Sequence, residues 1–243
     1  MPKVSVNILT KNRTELLRKA LASVARQSFK DFEVEAISDG SINQAQEQTL
    51  DKELQEAGMA INFIYHHKSL GITQSRQEAL EKSRGEYIAV LDDDDEWIDA
   101  DKLKKQVEYL DARPDVVLVG GGIKSGYEKF RPESDSQIRN TILFRNNFFT
   151  STVMFRRQAA IDAGGFVKDA NDFAEDYDLW LRLGKTGKMY NFQELFTAYR
   201  EPSYNKERFK AFLAKQLRLI KARKGDYPYY WLALPVLQTR LLF

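Results

Sequence analysis

The chain has 243 residues, 43% hydrophobic and 30% charged, with a net charge of +2 and no cysteine. That length fits one large domain or a domain with a small appendage, and the composition is ordinary for a soluble globular protein. The near-neutral balance gives no bulk signal for nucleic acid, and the lack of cysteine excludes disulfides, thiolate metal sites and a cysteine nucleophile.

Met1 to Val6 enters strand-like sequence directly, without the apolar core of a signal peptide. No window approaches the ~20 uninterrupted apolar residues of a membrane span, so the expected location is the cytoplasm. Lys3 to Leu9 reads as a first strand, ended by Thr10-Lys11-Asn12. Asn12 with Glu15 has the form of a capping box, and Leu16, Leu17, Ala20, Leu21 and Val24 then recur at helical spacing. Phe32 to Ile37 is a second strand running into the turn Ser38-Asp39-Gly40-Ser41, followed by a polar helix over 43–57. Ile61 to Tyr65 is a third strand, a helix runs from Leu70 to Ser83, and Tyr87 to Leu91 is a fourth, fully apolar strand. Strands alternating with helices of this length predict βαβ units and a mostly parallel sheet.

The fourth strand runs into Asp92-Asp93-Asp94-Asp95-Glu96-Trp97. Four aspartates at the mouth of a buried strand repel one another unless a cation or a ligand compensates. Carboxylates suit magnesium or manganese, and magnesium typically takes one or two of them and completes its shell with phosphates and water. The alternative is a solvated acidic turn before a helix N-terminus. In parallel sheets ligands bind outside the carboxyl ends of the strands. Thr10-Lys11-Asn12, Ser38-Asp39-Gly40 and Asp92 to Asp95 should therefore meet at one crevice, and this favours a site.

Beyond Trp97 the alternation fades. A helix is expected over 100–111, a strand over Val116–Val119 before Gly120-Gly121-Gly122, and irregular chain over 127–151 in which Phe144, Phe148 and Phe149 mark a partly buried or substrate-facing loop. Thr152 to Phe155 is strand-like, Gln158 to Ala163 a short helix, Asp176 to Leu183 a helix and Met189 to Tyr199 a returning strand. Trp97 and Trp180 are expected in the core or a pocket wall. His66 and His67 would point to opposite faces of a strand end and form no metal site. Between Arg200 and Lys224 nine Lys/Arg face only Glu201 and Glu207, and Phe209, Phe212, Leu213, Leu217 and Ile220 share one helical face. The apolar, aromatic run from Tyr229 to Phe243 follows. Such a basic amphipathic tail either lies on an anionic membrane surface or packs on the domain with its basic face solvated.

Four segments together resemble the family 2 glycosyltransferases of the GT-A fold: Val4 to Arg13, Ser38 to Ser41, Leu91 to Trp97, and Ala174-Glu175-Asp176-Tyr177-Asp178-Leu179-Trp180-Leu181-Arg182. Gly164-Gly165-Phe166 is similar to the family's glycine-phenylalanine turn. The resemblance implies an α/β GT-A catalytic domain over 1–200, Rossmann-like with helices flanking its sheet. Residues 1–97 would bind the nucleotide-sugar and 98–200 the acceptor, with a helical tail over 201–243. It implies that Thr10, Asn12, Arg13, Asp39, Arg76, Asp92 and Asp93 contact the nucleotide-sugar, with Thr10 and Asp39 against the nucleoside. Asp94 and Asp92 would hold Mn2+ or Mg2+, although Asp93 and Asp95 leave the register open by one. Asp176 matches the catalytic base, with Glu175 as second candidate. Ser38 stands where the family usually has a second aspartate, and Lys11 where an aromatic residue is common. Ser38 would shorten a contact to the nucleoside, and Lys11 could reach a phosphate.

The chemistry implied is inverting transfer from a nucleotide-sugar, with a UDP-sugar favoured, to a hydroxyl of a saccharide or lipid-linked acceptor. A bacterial surface polysaccharide (lipopolysaccharide, O-antigen or capsule) is the expected product, made at the inner face of the cell membrane. One carboxylate takes the acceptor's proton while charge grows on the leaving diphosphate. The competing readings are a nucleotidyltransferase of similar fold, which would want a glycine-rich phosphate loop near Thr10, and an inactive sugar-nucleotide-binding module.

Overall fold

The computed structural model describes residues 1–167, 174–200 and 206–242. Strands β1 (Val4–Thr10), β2 (Phe32–Asp39), β3 (Ile61–His66) and β4 (Tyr87–Asp92) alternate with helices α1 (Thr14–Ala25), α2 (Gln44–Glu56) and α3 (Ile72–Lys82). The four strands pair in parallel in the order β3-β2-β1-β4. An unbroken apolar run belongs in a strand covered on both faces. In β4, Tyr87, Ala89 and Leu91 feed one hydrophobic core while Ile88 and Val90 feed the other. Because β1, β2 and β4 are parallel, Thr10, Asp39 and Asp92 all end at the same edge, where Thr10 pairs with Ser38 and Leu9 with Asp92. β4 and β1 are neighbours although β2 and β3 intervene in sequence, so the aspartates lie at a topological switch point, where such sheets bind ligands.

The second half is β5 (Glu96–Trp97), α4 (Lys102–Asp111), β6 (Val116–Ser125), β7 (Tyr127–Lys129), α5 (Asp135–Thr141), a 3-10 turn (Thr150–Thr152), β8 (Met154–Arg156), α6 (Arg157–Asp162), α7 (Glu175–Thr186), β9 (Lys188–Ala198), α8 (Lys206–Lys221) and α9 (Tyr230–Leu242). The whole sheet runs β3-β2-β1-β4-β8-β6-β9-β5, with β7 on β6. β8 is antiparallel to β4 and β6, β5 is antiparallel to β9, and β6 and β9 are parallel. The long registers are parallel, so the sheet is mostly parallel, as expected.

Several local expectations change. Asn12 does not cap α1. Its backbone is left-handed (φ 60°), the N-cap is Arg13, and no side chain caps the helix. The Asn12 Oδ1 instead accepts from Ile42 N (2.7 Å) and Ser41 Oγ (3.2 Å), joining the loop after β1 to the loop after β2. Gly120 to Gly122 do not end their strand. β6 continues through them because a side chain at Gly121 would collide with the Phe196 ring across the sheet. The segment 127–151 is not wholly irregular either: Ser134 and Gln137 form a full capping box that starts α5.

The tail packs on the domain. Leu213 and Ile220 of α8, Tyr227, and Ala233 and Leu237 of α9 belong to one core with Trp180 and Phe155. The apolar face of α8 is therefore mostly spent inside the protein, with Phe209 left exposed. Asp178 ties this tail down: Arg182, one turn on, donates from Nε to its Oδ2 (3.0 Å) with Nη2 in ion contact at 2.9 Å, and Arg223 donates to its other oxygen (2.6 Å). Glu201, Phe243 and the side chains of Lys206, Arg208 and Leu242 lie outside the described residues. All three groups of the Asp178 cluster are nearly buried, so Asp178→Ala leaves two guanidinium groups without their counterion. Chemical denaturation should show a loss of about 2–4 kcal/mol. A loss below about 1 kcal/mol, the usual value of an exposed pair, would remove this anchor from the account.

Candidate active site

Asp92 is the last residue of β4, and its carbonyl accepts from Asp95 N (3.1 Å), closing a four-residue turn with Asp93 and Asp94 at the corners. The turn sorts its side chains by alternation. Asp93 and Asp95 are buried, at 5% and 2% exposure. Asp93 accepts from Thr10 Oγ1 (2.7 Å) and Arg13 Nη1 (3.1 Å). Asp95 accepts from the Ser151 hydroxyl and from Arg200 N (2.8 Å). Burial pushes the Asp95 carboxyl up to about 8, with the Asp92 charge adding to it, and pushes Asp93 up to about 6 against the pull of Thr10 and Arg13. Asp92 and Asp94 keep 34% and 25% of their side chains open to solvent. Asp92 Oδ1 accepts from Arg76 Nη2 (2.9 Å) and Asp94 Oδ2 from Arg13 Nη1 (3.0 Å). Their second oxygens engage no described residue.

Arg76 comes from α3 and is buried. Its Nε donates to Glu175 Oε1 (3.0 Å), so one guanidinium bridges the aspartate turn and the first residue of α7. Burial pushes the Glu175 carboxyl up, and Arg76 pulls it back. The next residue, Asp176, points elsewhere, as a 100° helical step requires. It is half-buried, and its Oδ2 accepts from Thr150 Oγ1 (2.6 Å) and Asn146 Nδ2 (3.4 Å). Asp178 faces away, into Arg182 and Arg223.

Asp39 stands in a separate network. Its two oxygens accept from His66 Nδ1 (3.0 Å), Ser69 Oγ (2.6 Å), Leu70 N (2.7 Å) and Gly71 N (3.1 Å), which fills the lone-pair positions of a carboxylate. Burial alone would raise its pKa, but these partners hold it at about 2. His66 Nε2 lies 2.8 Å from Glu78, and the two carboxylates raise the imidazole's pKa against its burial. Asp39 thus fixes the 66–71 loop. Gly40 has φ 70°, and any side chain there would strike Ser69 of the same loop. Ser38 does not face the crevice: its hydroxyl donates to the buried Glu47 (2.6 Å), which Ser41 also reaches (2.7 Å). Lys11 is exposed.

Side-chain contacts therefore join Thr10 to Asp93, Arg13 to Asp93 and Asp94, and Arg76 to Asp92 and Glu175, with Asp176 next in the chain to Glu175, while Asn12 contacts the loop after β2 instead. Asp39 is held apart, and so are Trp97 and Trp180, both core residues. Thr150, Ser151 and Asn146 carry no motif, yet they brace Asp176 and Asp95 from a loop 26 to 56 residues distant in sequence.

Among the described residues, no group of three or more His, Asp or Glu could by itself hold a metal ion. Two aspartates with one oxygen each left over are nevertheless the donor set that suits a hard cation completing its shell with phosphates and water. Asp92 and Asp94 fit that need, and Asp93 and Asp95 do not, because their oxygens are taken.

Residues 5–167 match the family model "Glycosyl transferase family 2". Over 229 residues, 90% of this chain and 84% of the relative, the chain is 25% identical to the amylovoran biosynthesis glycosyltransferase AmsE of Erwinia amylovora. The crystal structure of S. aureus TarS residues 1–349 in complex with UDP aligns with TM-score 0.74 at 18% identity, covering 99% of this chain and 72% of that one. The mannosyltransferase PcManGT from Pyrobaculum calidifontis, in complex with GDP-Man and Mn2+, aligns with TM-score 0.71 at 18% identity, covering 99% and 69%. At such identities the two structures speak to the fold, which is GT-A. The family match takes in well over half of the chain and all three loops at the sheet edge: the chain belongs to glycosyl transferase family 2.

Proposed function

We propose that this glycosyltransferase, related to enzymes of polysaccharide biosynthesis, moves a sugar from a nucleotide-sugar to a hydroxyl of a saccharide or lipid-linked acceptor, with inversion and with Mn2+ or Mg2+ at Asp92 and Asp94. The observation that carries this reading is the Arg76 bridge, which holds the aspartate turn and the start of α7 together. It sets Asp92 against the first residue of α7, one position before Asp176.

A divalent cation, when bound, stabilises the charge that grows on the leaving diphosphate. The protein's own groups do the rest. Asp176 is the base: Thr150 and Asn146 fix its Oδ2, and the carboxylate receives the proton of the acceptor hydroxyl as that oxygen attacks. Glu175, buried and paired with Arg76, positions the helix start and takes no proton from the acceptor. Thr10 and Arg13 hold Asp93 and, through it, the shape of the turn. Asp39 orders the 66–71 loop as a wall for the nucleoside. We favour a UDP-sugar, since TarS was solved with UDP, and GDP-sugars are the second choice, since PcManGT was solved with GDP-Man. The family match leaves the nucleotidyltransferase reading without support.

The tail suits an anionic membrane surface through α9 rather than α8. Trp231 and Leu232 are 67% and 60% exposed, Tyr229 and Val236 are exposed beside them, and Lys224 Nζ sits 4.9 Å over the Trp231 ring. Aromatic and apolar groups next to lysines match an interfacial helix. No helix among the described residues is long and apolar enough to cross a membrane.

Nucleotide release from a panel of UDP- and GDP-sugars tests the assignment of the base. Asp176→Asn should lower kcat by about 10²–10⁴-fold while donor affinity stays within about threefold. Full turnover in that variant would remove Asp176 from the reaction. For the tail, Trp231→Ser/Leu232→Ser should cut flotation with vesicles of anionic lipid several-fold and leave the protein's melting temperature unchanged. Flotation equal to that of the native chain would end the membrane proposal.

A further inference from the structure

An open groove of about 570 Å3 lies between α5, the 131–133 segment and Gln193 of β9. Its most unusual lining group is Arg131. The Arg131 guanidinium stacks 4.4 Å over the Phe149 ring, and its buried Nε has no hydrogen-bond partner among the described residues. Among the described residues it forms no ion pair. The cation that influences it is another arginine, Arg145, exposed on the loop after α5, and burial together with that like charge pushes the Arg131 guanidinium below its usual pKa. Glu133 lines the same groove and is turned to Tyr190, whose hydroxyl donates to it (2.9 Å). Asn140, on the α5 wall, is exposed, and among the described residues its side-chain amide has no partner.

A buried donor without an acceptor is costly. A planar guanidinium on an aromatic platform is well suited to a two-pronged hold on phosphate or carboxylate. Position gives the pair its meaning. Phe149, the platform, directly precedes Thr150, whose hydroxyl holds Asp176, and Arg145 directly precedes Asn146, whose amide reaches the same carboxylate. Arg145 thus adjoins Asn146 in sequence, and Arg131 stacks on the residue that adjoins Thr150.

We propose that Arg131 and Arg145 form a binding site for an oxyanion carried by the acceptor, so that the enzyme acts on an acidic acceptor whose hydroxyl is delivered to Asp176. The anion is a phosphate of a lipid-linked or phosphorylated sugar, or the carboxylate of an acidic sugar. Asn140 offers its amide to the sugar's hydroxyls. The proposal rests on Asp176 being the base of the transfer reaction.

The test uses the full chain saturated with UDP and Mn2+, which occupies the donor side. Binding of three probes is measured by ligand-observed NMR: methyl glucuronoside, farnesyl diphosphate and the neutral methyl glucoside. One anionic probe should bind about tenfold more tightly than the neutral one, the scale of a charge-assisted hydrogen bond. Whether the carboxylate or the diphosphate shows the gain identifies the source of the anion. Arg131→Gln should abolish the gain. Arg145→Gln, at an exposed position that the fold tolerates, should reduce it, with UDP affinity unchanged in both. Equal affinity for all three probes, or a gain that survives both substitutions, would overturn the site. Asp176→Asn separates the two readings: if it turns over normally while the Arg131-dependent gain persists, the base assignment fails and the anion site stands.

Discussion

A buried arginine between two carboxylates is the constraint on which the arrangement depends. Arg76 uses Nε for Glu175 and Nη2 for Asp92, and so fastens the end of β4 to the start of α7. Lysine could not serve both, since its ammonium is a single point rather than a fork. Burying such a group is expensive, and an apolar pair of equal volume often gives more stability. The bridge is better understood as a placement device. It keeps two halves of the sheet, joined elsewhere through the short β8, in one relation at the edge where β1, β2 and β4 end.

Around that bridge, neighbouring acids are assigned opposite duties by which way they point. Asp93 and Asp95 turn inward to hydroxyls, Arg13 and a backbone amide, and they hold the loop; Asp92 and Asp94 turn outward. Glu175 turns inward to Arg76, and the half-buried Asp176 accepts from Thr150 and Asn146 on one oxygen and from Tyr177 N (2.6 Å) on the other. The inward acids carry raised pKa values, about 6 for Asp93 and about 8 for Asp95. Their ionisation therefore weighs against the folded state as pH climbs from the ordinary carboxylate range through those values. Positive charge at the turn relieves that tension, and Arg13 and Arg76 supply part of it.

The N-terminal half was legible because its signals are local. Period-2 and period-3.6 patterns located β1 to β4 and α1 to α3 to within a few residues, and turn residues marked the loops that meet. What escaped depends on distant partners. β5 is two residues long and exists only through pairing with β9. The glycines of β6 look like a strand end until Phe196 is seen lying against them. Asn12 fits a cap by spacing, yet the loop after β2 claims it. Ser151 carries no motif, although it touches Asp92, Asp95 and Trp97. The α5 capping box, by contrast, was readable in Ser134 and Gln137. The tail's amphipathic pattern is legible as a pattern, but periodicity cannot tell a membrane from a core, and for α8 the core has most of the claim.

The division of labour within the aspartate turn is the central claim, and Mn2+ binding in the presence of UDP tests it most directly. Titration by electron paramagnetic resonance should show Asp94→Asn binding Mn2+ at least about tenfold more weakly than the native chain, the loss of one charged ligand, with the melting temperature unchanged. Native Mn2+ affinity in Asp94→Asn would contradict the account.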